Sequence, residues 1–334
     1  MSDISALILL PRLKVQNANA ISGPLTWGFP SPTAFIGFVH AMERKFASEL
    51  NEGFAGVGII CHHFEPQVSS PSRSHIPHVF SLTRNPVGKD GGTMALVEEG
   101  RAHMEVSLVI AVKDYKEKSK GDYLAEDLHH AAQGMRLAGG SLLHQEGKRY
   151  QAQWWPLAGD AEGDAAVFRK LRRRLLPGFA LVQRDDLLAS HLAELRQTRP
   201  ESNALDALLD LSRLNIEPVV SQSNDVETVK WEVRRKPGWL VPLPIGYAGI
   251  SPLYAPGEVE NARDSTTPFR FVESLYSLGQ WISPHRLDGL NQLLWTQEWT
   301  QKSDADQGIY RCINRYAESL PASLSESFAH SQEQ

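Results

Sequence analysis

Cysteine is nearly missing from this sequence. Cys61 and Cys312 are the two it has, too few for a disulfide framework, so the chain reads as cytoplasmic. Long apolar runs are missing too. No stretch approaches the ~18 residues that a membrane-spanning helix needs. The start, Met1-Ser2-Asp3, lacks the basic region of a secretory signal. An excess of positive charge is also lacking: the formal net charge is −5, whereas a protein built simply to bind nucleic acid is usually basic overall. No internal repeat is evident, and no segment brings Cys or His ligands together at metal spacing. Cys61-His62-His63 is a strand-like run whose adjacent residues point to opposite faces, so the three do not converge on one ion. No cofactor is expected.

What is present is ordinary globular chemistry with uneven charge. The 334 residues suffice for two core-bearing domains or one elaborated one. Phe168 to Arg174 holds five cations in seven residues, Arg173 among them. Local potential within a Debye length of ~8–10 Å matters more than the sum. The run is either a solvated helix face or a surface facing an anion, RNA or an acidic neighbour.

Arg12 to Phe46 organises the rest. The strand Leu7 to Gln16 alternates in its second half, with Leu13 and Val15 on one face and Arg12, Lys14 and Gln16 on the other. That pattern predicts a sheet packed by helices on one side and open on the other. A turn follows that is rich in small hydrogen-bonding side chains and carries no acid, Asn17 to Pro30. Ser31-Pro32 then starts a helix, with Ser as N-cap and Phe35, Phe38, Val39, Met42 and Phe46 on one stripe. Amide donors at a helix start, beside Asn17, Asn19 and Ser22, suit a phosphate backbone. Trp27 and Phe29 either stack bases or tuck into the core.

Further along, Gly56 to Phe64 predicts a second strand and Met104 to Val112 a third, with period-two apolar residues. Residues 66–102 between them form an insertion rich in Pro, Ser and Gly, carrying Arg84 and Asn85 beside a turn. Tyr123 to Met135 predicts a helix, closed by Arg136-Leu137-Ala138-Gly139-Gly140-Ser141 before a fourth strand. The order β-α-β-β-α-β is the split βαβ pattern. The fold class is therefore α+β: a ferredoxin-like (RRM-type) palm over residues 1–157, a C-terminal α+β region over 158–320, and a frayed tail over 321–334. In the C-terminal region we expect helices at 164–176, 185–196 and 205–214, a polar linker at 217–228, and strands and turns over 229–256. Two more helices are expected at 268–281 and 287–295. Trp231, Trp239 and Trp281 read as core or interface residues.

Several runs together resemble one family. They are Gln16 to Ser22, Trp27-Gly28-Phe29-Pro30-Ser31-Pro32-Thr33, Arg136 to Ser141, Lys236-Pro237-Gly238-Trp239-Leu240-Val241-Pro242, and Leu253 to Val259 followed by Asn261-Ala262-Arg263-Asp264. In this order they are similar to the second Csy subunit, the Cas-five-type member of type I-F CRISPR surveillance complexes. The resemblance implies a non-catalytic protein that captures the 5′ handle of the guide RNA. It also implies a heterodimer with the large subunit, contact with the backbone subunit, target DNA near that end of the complex, and no membrane. On this reading the insertion is a thumb-like element folding over RNA; the plainer reading is a solvent loop. The glycines Gly139 and Gly140, with Ser141, let RNA approach backbone amides while Arg136 pairs a phosphate; the plainer reading of the glycine pair is a helix C-cap. Arg263 is an RNA contact or part of a capping turn. Two rivals remain: a guide-processing endoribonuclease using His62 or His63, and an assembly adaptor that does not touch RNA.

Overall fold

A fourteen-residue strand, β1 (Ala6–Asn19), runs through the middle of the largest sheet, and its first half is apolar on both faces. Ile8 and Leu10 pack to one side, Leu7 and Leu9 to the other. In this computed structural model the described residues are 4–69, 79–84, 87–88, 90–115, 118–223, 226–234, 236, 238–300 and 308–320; Asn85 lies outside them. A short pair, β2 (Ile21–Gly23) and β3 (Thr26–Trp27), leads to α1 (Pro32–Lys45). The helix begins as its sequence dictates. Ser31 Oγ accepts the Thr33 amide at 3.1 Å, and Pro32 takes a position that needs no N–H. Phe35, Phe38, Val39 and Met42 form its buried stripe.

β4 (Phe54–Pro66) follows, then a separate three-stranded sheet of β5 (Val68–Ser69), β6 (Val79–Arg84) and β7 (Leu96–Glu99). β8 (Arg101–Val112) returns to the main sheet. α2 (Gly121–Gln133), the hairpin β9 (Arg136–Leu137) and β10 (Gly140–Leu143), and β11 (Gln153–Pro156) come next. Four strands lie in the order β4-β8-β1-β10, every neighbour antiparallel. The stripes of α1 and α2 cover the face that carries Ile8, Leu10, Leu13 and Val15.

The remaining elements are α3 (Ala161–Arg174), β12 (Phe179–Gln183), α4 (Asp185–Thr198), α5 (Ala204–Ser212), β13 (Ile216–Ser223), β14 (Val226–Val233), β15 (Trp239–Gly249), β16 (Val272–Ile282), α6 (Leu290–Leu293), β17 (Leu294–Thr300) and β18 (Ile309–Asn314). Five of these strands join the main sheet, and the sheet closes on itself. From β4 the pairing runs through β17, β18, β15 and β16 to β12, which pairs with β4 again. Such closure removes the free edges of those strands. The fold is thus mixed α+β. Among the described residues no helix is long and apolar enough to cross a membrane.

Three expectations fail here. Residues 268–281 are not a helix: Val272–Ile282 is a strand with a partner on each side, β15 and β12. Residues 287–295 hold four helical residues, after which the chain runs into β17. The expected linker at 217–228 is most of the β13–β14 hairpin. In the first two cases strand pairing outweighs local helical periodicity, and in the third it outweighs polar composition, as β context commonly does.

The sheet face opposite α1 and α2 is open along only part of its length. At one end Leu7, Leu9, Ile60, Val109 and Ala111 lie beneath Phe168, Leu171 and Leu175, where α3 packs. Beyond that end the face turns polar.

Candidate nucleic-acid interface

Two bulges shape β1 as it leaves the covered part of the sheet. Its register with β8 slips between Leu10 and Leu13 and again between Val15 and Ala18. Each slip contains a residue at positive φ, Arg12 at 49° and Asn17 at 57°. Asparagine tolerates that region, whereas arginine must be held there. The Arg12 amide donates to Ser107 Oγ at 2.9 Å, and its guanidinium meets Glu105 Oε1 at 2.5 Å. Ser107 in turn donates to His62 Nε2 at 2.7 Å, while His62 Nδ1 donates to the Pro177 carbonyl at 2.6 Å. Both ring nitrogens are occupied, and burial lowers the His62 pKa. The histidine weighed as a general acid–base is a strut between β4, β8 and the segment before β12. His63 is exposed, with Glu65 at 3.8 Å.

Cross-strand partners share a face, so the pairings Lys14 with Glu105, Gln16 with Ser141 and His63 with Glu105 build one polar surface. Lys14, Gln16 and Ser141 are exposed on it. Asn17 stands at its margin, where its side-chain oxygen accepts from Gln67 Nε2 at 2.6 Å and its amide donates to His103 Nδ1 at 3.2 Å.

Next to this surface the first turn meets the β9–β10 hairpin. The Asn19 amide donates to the Ala138 carbonyl at 2.8 Å. Its side chain closes a local turn, accepting the Ile21 amide at 3.1 Å and donating to the Ile21 carbonyl at 2.7 Å. Ser22 Oγ accepts the Ser31 amide at 3.0 Å, and Ser31 Oγ donates to the Pro244 carbonyl at 2.8 Å, which pins the α1 start to β15. Asn19, Ser22, Ser31, Thr33 and Gly139 line one open cavity of about 610 Å³.

The glycine pair is not a helix cap. α2 ends at Gln133 with Gly134 as its cap, and the pair lies later: Gly139 is in the two-residue turn of the β9–β10 hairpin and Gly140 is the first residue of β10. Ala138 and Gly139 both have positive φ, 50° and 76°, as a type I′ turn requires. Gly140 is needed for a different reason: a Cβ there would lie 2.7 Å from the Gln16 carbonyl oxygen and 2.8 Å from the Ala18 nitrogen. Gly140→Ala should therefore cost about 1–3 kcal/mol through backbone displacement. Gly139→Ala, which meets open space but keeps φ positive, should cost nearer ~1 kcal/mol. Chemical denaturation compares the two, and equal losses would rule out close approach as the cause. Arg136 is exposed opposite Ser141, with its guanidinium on the Gly139 carbonyl at 3.2 Å.

Asn17, Asn19, Ser22, Arg136, Gly139, Gly140 and Ser141 thus come together from two distant stretches of chain. Trp27 borders them, its ring 5.1 Å from that of Phe80 in β6, so the small sheet leans on the turn. Arg84 ends that strand and is exposed. Two candidates lie elsewhere. Arg173 is exposed on α3, whose Arg172 is occupied by the Leu287 carbonyl at 2.7 Å. Arg263 is exposed between β15 and β16, beside Asp264. Asp264 accepts the Thr266 and Thr267 amides at 2.9 and 2.7 Å, which hold its pKa at about 2.

Sequence reasoning missed a second, smaller cavity next to the first, of about 240 Å³, where Trp27 and Phe29 face Phe179, Trp239 and Trp281. Trp239 is exposed rather than core, and so is Trp231. No local signal announces this cavity, since its walls come from strands that only the closed sheet makes neighbours.

The geometry can be set beside known proteins. CRISPR-associated protein Csy2 of Pseudomonas aeruginosa (strain UCBPP-PA14) is 52% identical over 318 residues, covering 93% of this chain and 96% of that protein. A family model described as CRISPR-associated protein (Cas_Csy2) matches residues 8–312, a span that takes in β1, the first turn, the β9–β10 hairpin and the closing strands alike. The turn and the hairpin both fall within the matched span, and the chain belongs to the Csy2 family of CRISPR-associated proteins, the Cas-five-type subunit of the type I-F Csy complex.

Proposed function

We propose that, within the Csy complex, this non-catalytic subunit holds the 5′ handle of the guide RNA at the first turn and the β9–β10 hairpin. One observation carries the reading: Asn17, Asn19, Ser22 and Arg136 to Ser141 meet beside a polar stretch of sheet. Glycine at the hairpin lets a sugar-phosphate chain come close to backbone amides, and Arg136 supplies the charge to pair it. The strand order β4-β8-β1-β10, with two helices on one face, supports a ferredoxin-like, RRM-type palm over residues 1–157 with its insertion at 66–102. Residues 158–320 would pack on that palm and on partners, with 321–334 as a tail. Arg84, Trp27, Arg173 and Arg263 extend the proposed contact along the handle or toward target DNA. Specific DNA sequence would be read by guide pairing. The partners proposed are the large subunit, as a heterodimer, and the backbone subunit, in the cytoplasm. The adaptor reading draws on the exposed apolar β13–β14 hairpin, which suits protein docking in addition to RNA binding.

The test is binding of a 5′-handle oligonucleotide to the heterodimer across a salt series. Each phosphate contact adds about 0.7 to the slope of log affinity against log salt. Arg136→Ala should flatten the slope by about that amount. Binding that ignores salt, or that is unchanged by Arg136→Ala and Asn17→Ala together, would sink the assignment.

A further inference from the structure

We infer that the β13–β14 hairpin docks on the large subunit, seating one apolar face on an apolar surface rimmed by Lys or Arg; this rests on the heterodimer reading above. The hairpin is a sheet of its own, each strand pairing only with the other among the described residues. A two-stranded hairpin is marginal in water and gains stability by packing on a further surface.

The register sorts its side chains. Partners across a ladder share a face, and every second position along a strand returns to it. Ile216 opposite Val233, Pro218 opposite Trp231 and Val220 opposite Val229 therefore build one face without a polar side chain. Trp231 is 70% exposed, and Ile216, Val220, Val229 and Val233 are each 52–54% exposed. None of the six belongs to a buried cluster of the fold. The other face is mixed, with Glu217 opposite Glu232 and Val219 opposite Lys230. Arg234, on Asp210 at 2.5 Å, ties the base of the hairpin to α5, so the apolar face is presented from a fixed root.

Charge and area choose the occupant. Residues 216–233 hold four acids, Glu217, Asp225, Glu227 and Glu232, against the single cation Lys230. That balance repels a phosphate backbone. The chain's own end, 321–334, offers two glutamates and no Lys or Arg, so charge does not draw it there either. A second copy meets the same repulsion and gains too little. The apolar strip is about 17 Å long and ~15 Å wide. Two copies face to face would bury roughly 500 Å², against the ~1,200–2,000 Å² of a stable specific interface. The strip is instead one anchor of a larger contact, on a partner whose apolar seat carries cations at its edge. A wholly apolar strip centred on a tryptophan has the composition of permanent interfaces, and in the proposed heterodimer the permanent partner is the large subunit.

The test uses that heterodimer. With Trp231 replaced by a benzophenone-bearing phenylalanine, irradiation should join this chain to the large subunit. Trp231→Ser together with Val220→Ser should weaken association of the two subunits roughly 30-fold or more, as loss of a tryptophan anchor does. The unfolding midpoint of this chain alone should not move, since both side chains are exposed in it. Val219→Ser, on the other face, should change association by less than about twofold. Glu232→Lys should slow association at low salt and not at high salt. If the double variant associates as tightly as the wild type, or if Val219→Ser costs as much, the docking face is overturned and the heterodimer reading stands. A fall in the midpoint would show a face already packed within the chain, which also overturns it. Adducts to guide RNA, to the backbone subunit or to a second copy, in place of the large subunit, do the same. Failure of the wild-type chains to associate would overturn the heterodimer reading and the inference together.

Discussion

Asp210→Ala should lower stability by about 3 kcal/mol, the lower end of the ~3–5 kcal/mol seen when a buried ion pair loses one member. Asp210 is 6% exposed on α5 and carries three cationic or polar partners. His191 Nε2 lies at 2.8 Å, Arg213 at 2.7 Å and Arg234 at 2.5 Å. The two arginines are partly exposed, so they regain water when the carboxylate goes, which places the loss at the lower end. Arg234 follows β14, and its amide donates to the Asn215 carbonyl at 2.9 Å, just before β13. The cluster is therefore what fastens the base of the β13–β14 hairpin to α5. Amide exchange in residues 216–233 should quicken more than exchange in β1 or β8. Unchanged protection there would refute the account.

The same cluster sets an acid dependence. Burial by itself would raise the Asp210 pKa, but the hydrogen bonds of His191 and Arg234 prevail and hold it at about 2, below the ordinary 3.8. A carboxylate depressed in the folded state contributes stability that is complete above its unfolded pKa. The contribution should thus be present above about pH 4 and lost as pH falls toward about 2, and Asp210→Asn should flatten that part of the stability profile.

Trp295→Ala should cost about 3–5 kcal/mol, as other buried Trp or Phe truncations do. The ring is fully buried, and its Nε1 donates to the Leu181 carbonyl at 2.8 Å. Trp295 lies where β17 pairs with β4, opposite Val57, and it packs in the same cluster as Ile59, Leu181, Leu243 and Cys312. Truncation opens a void where the sheet closes and strands a carbonyl. Trp295→Phe, which keeps most of the volume but loses the N–H, should cost about 1–3 kcal/mol. Equal losses in the two variants would show that the hydrogen bond, not the packing, holds the seam.

The legible parts of the molecule are those whose signals are local. Ser31-Pro32 announces the start of α1 because a cap and a missing N–H act within one turn. Met104 to Val112 announces β8 because Met104, Val106, Leu108, Ile110 and Val112 recur at every second position on one apolar face. The first turn and Arg136 to Ser141 could be picked out as candidates by residue type alone. The hairpin role of Gly139 could not, because helix caps and type I′ turns both need positive φ, and neither could the close approach of the Gln16 carbonyl that requires Gly140. The strand at 272–282 was hidden for another reason. Phe271, Leu275 and Leu278 recur at helical steps, yet that segment has β15 on one side and β12 on the other. In β13–β14, Val219, Val220, Val226 and Val229 were a β-branched signal outweighed by their polar neighbours.

By itself, then, the amino-acid order determined the capped helix, the half-apolar strand, the chemistry of the two candidate bends and the family to which they belong. Only the tertiary structure decided that those bends meet, that the sheet closes through Trp295, and that aromatic rings from distant strands line one cavity. The reason is physical: caps and alternation are settled between residues a few positions apart. Strand pairing and cavity walls are settled by which distant segments exclude water together.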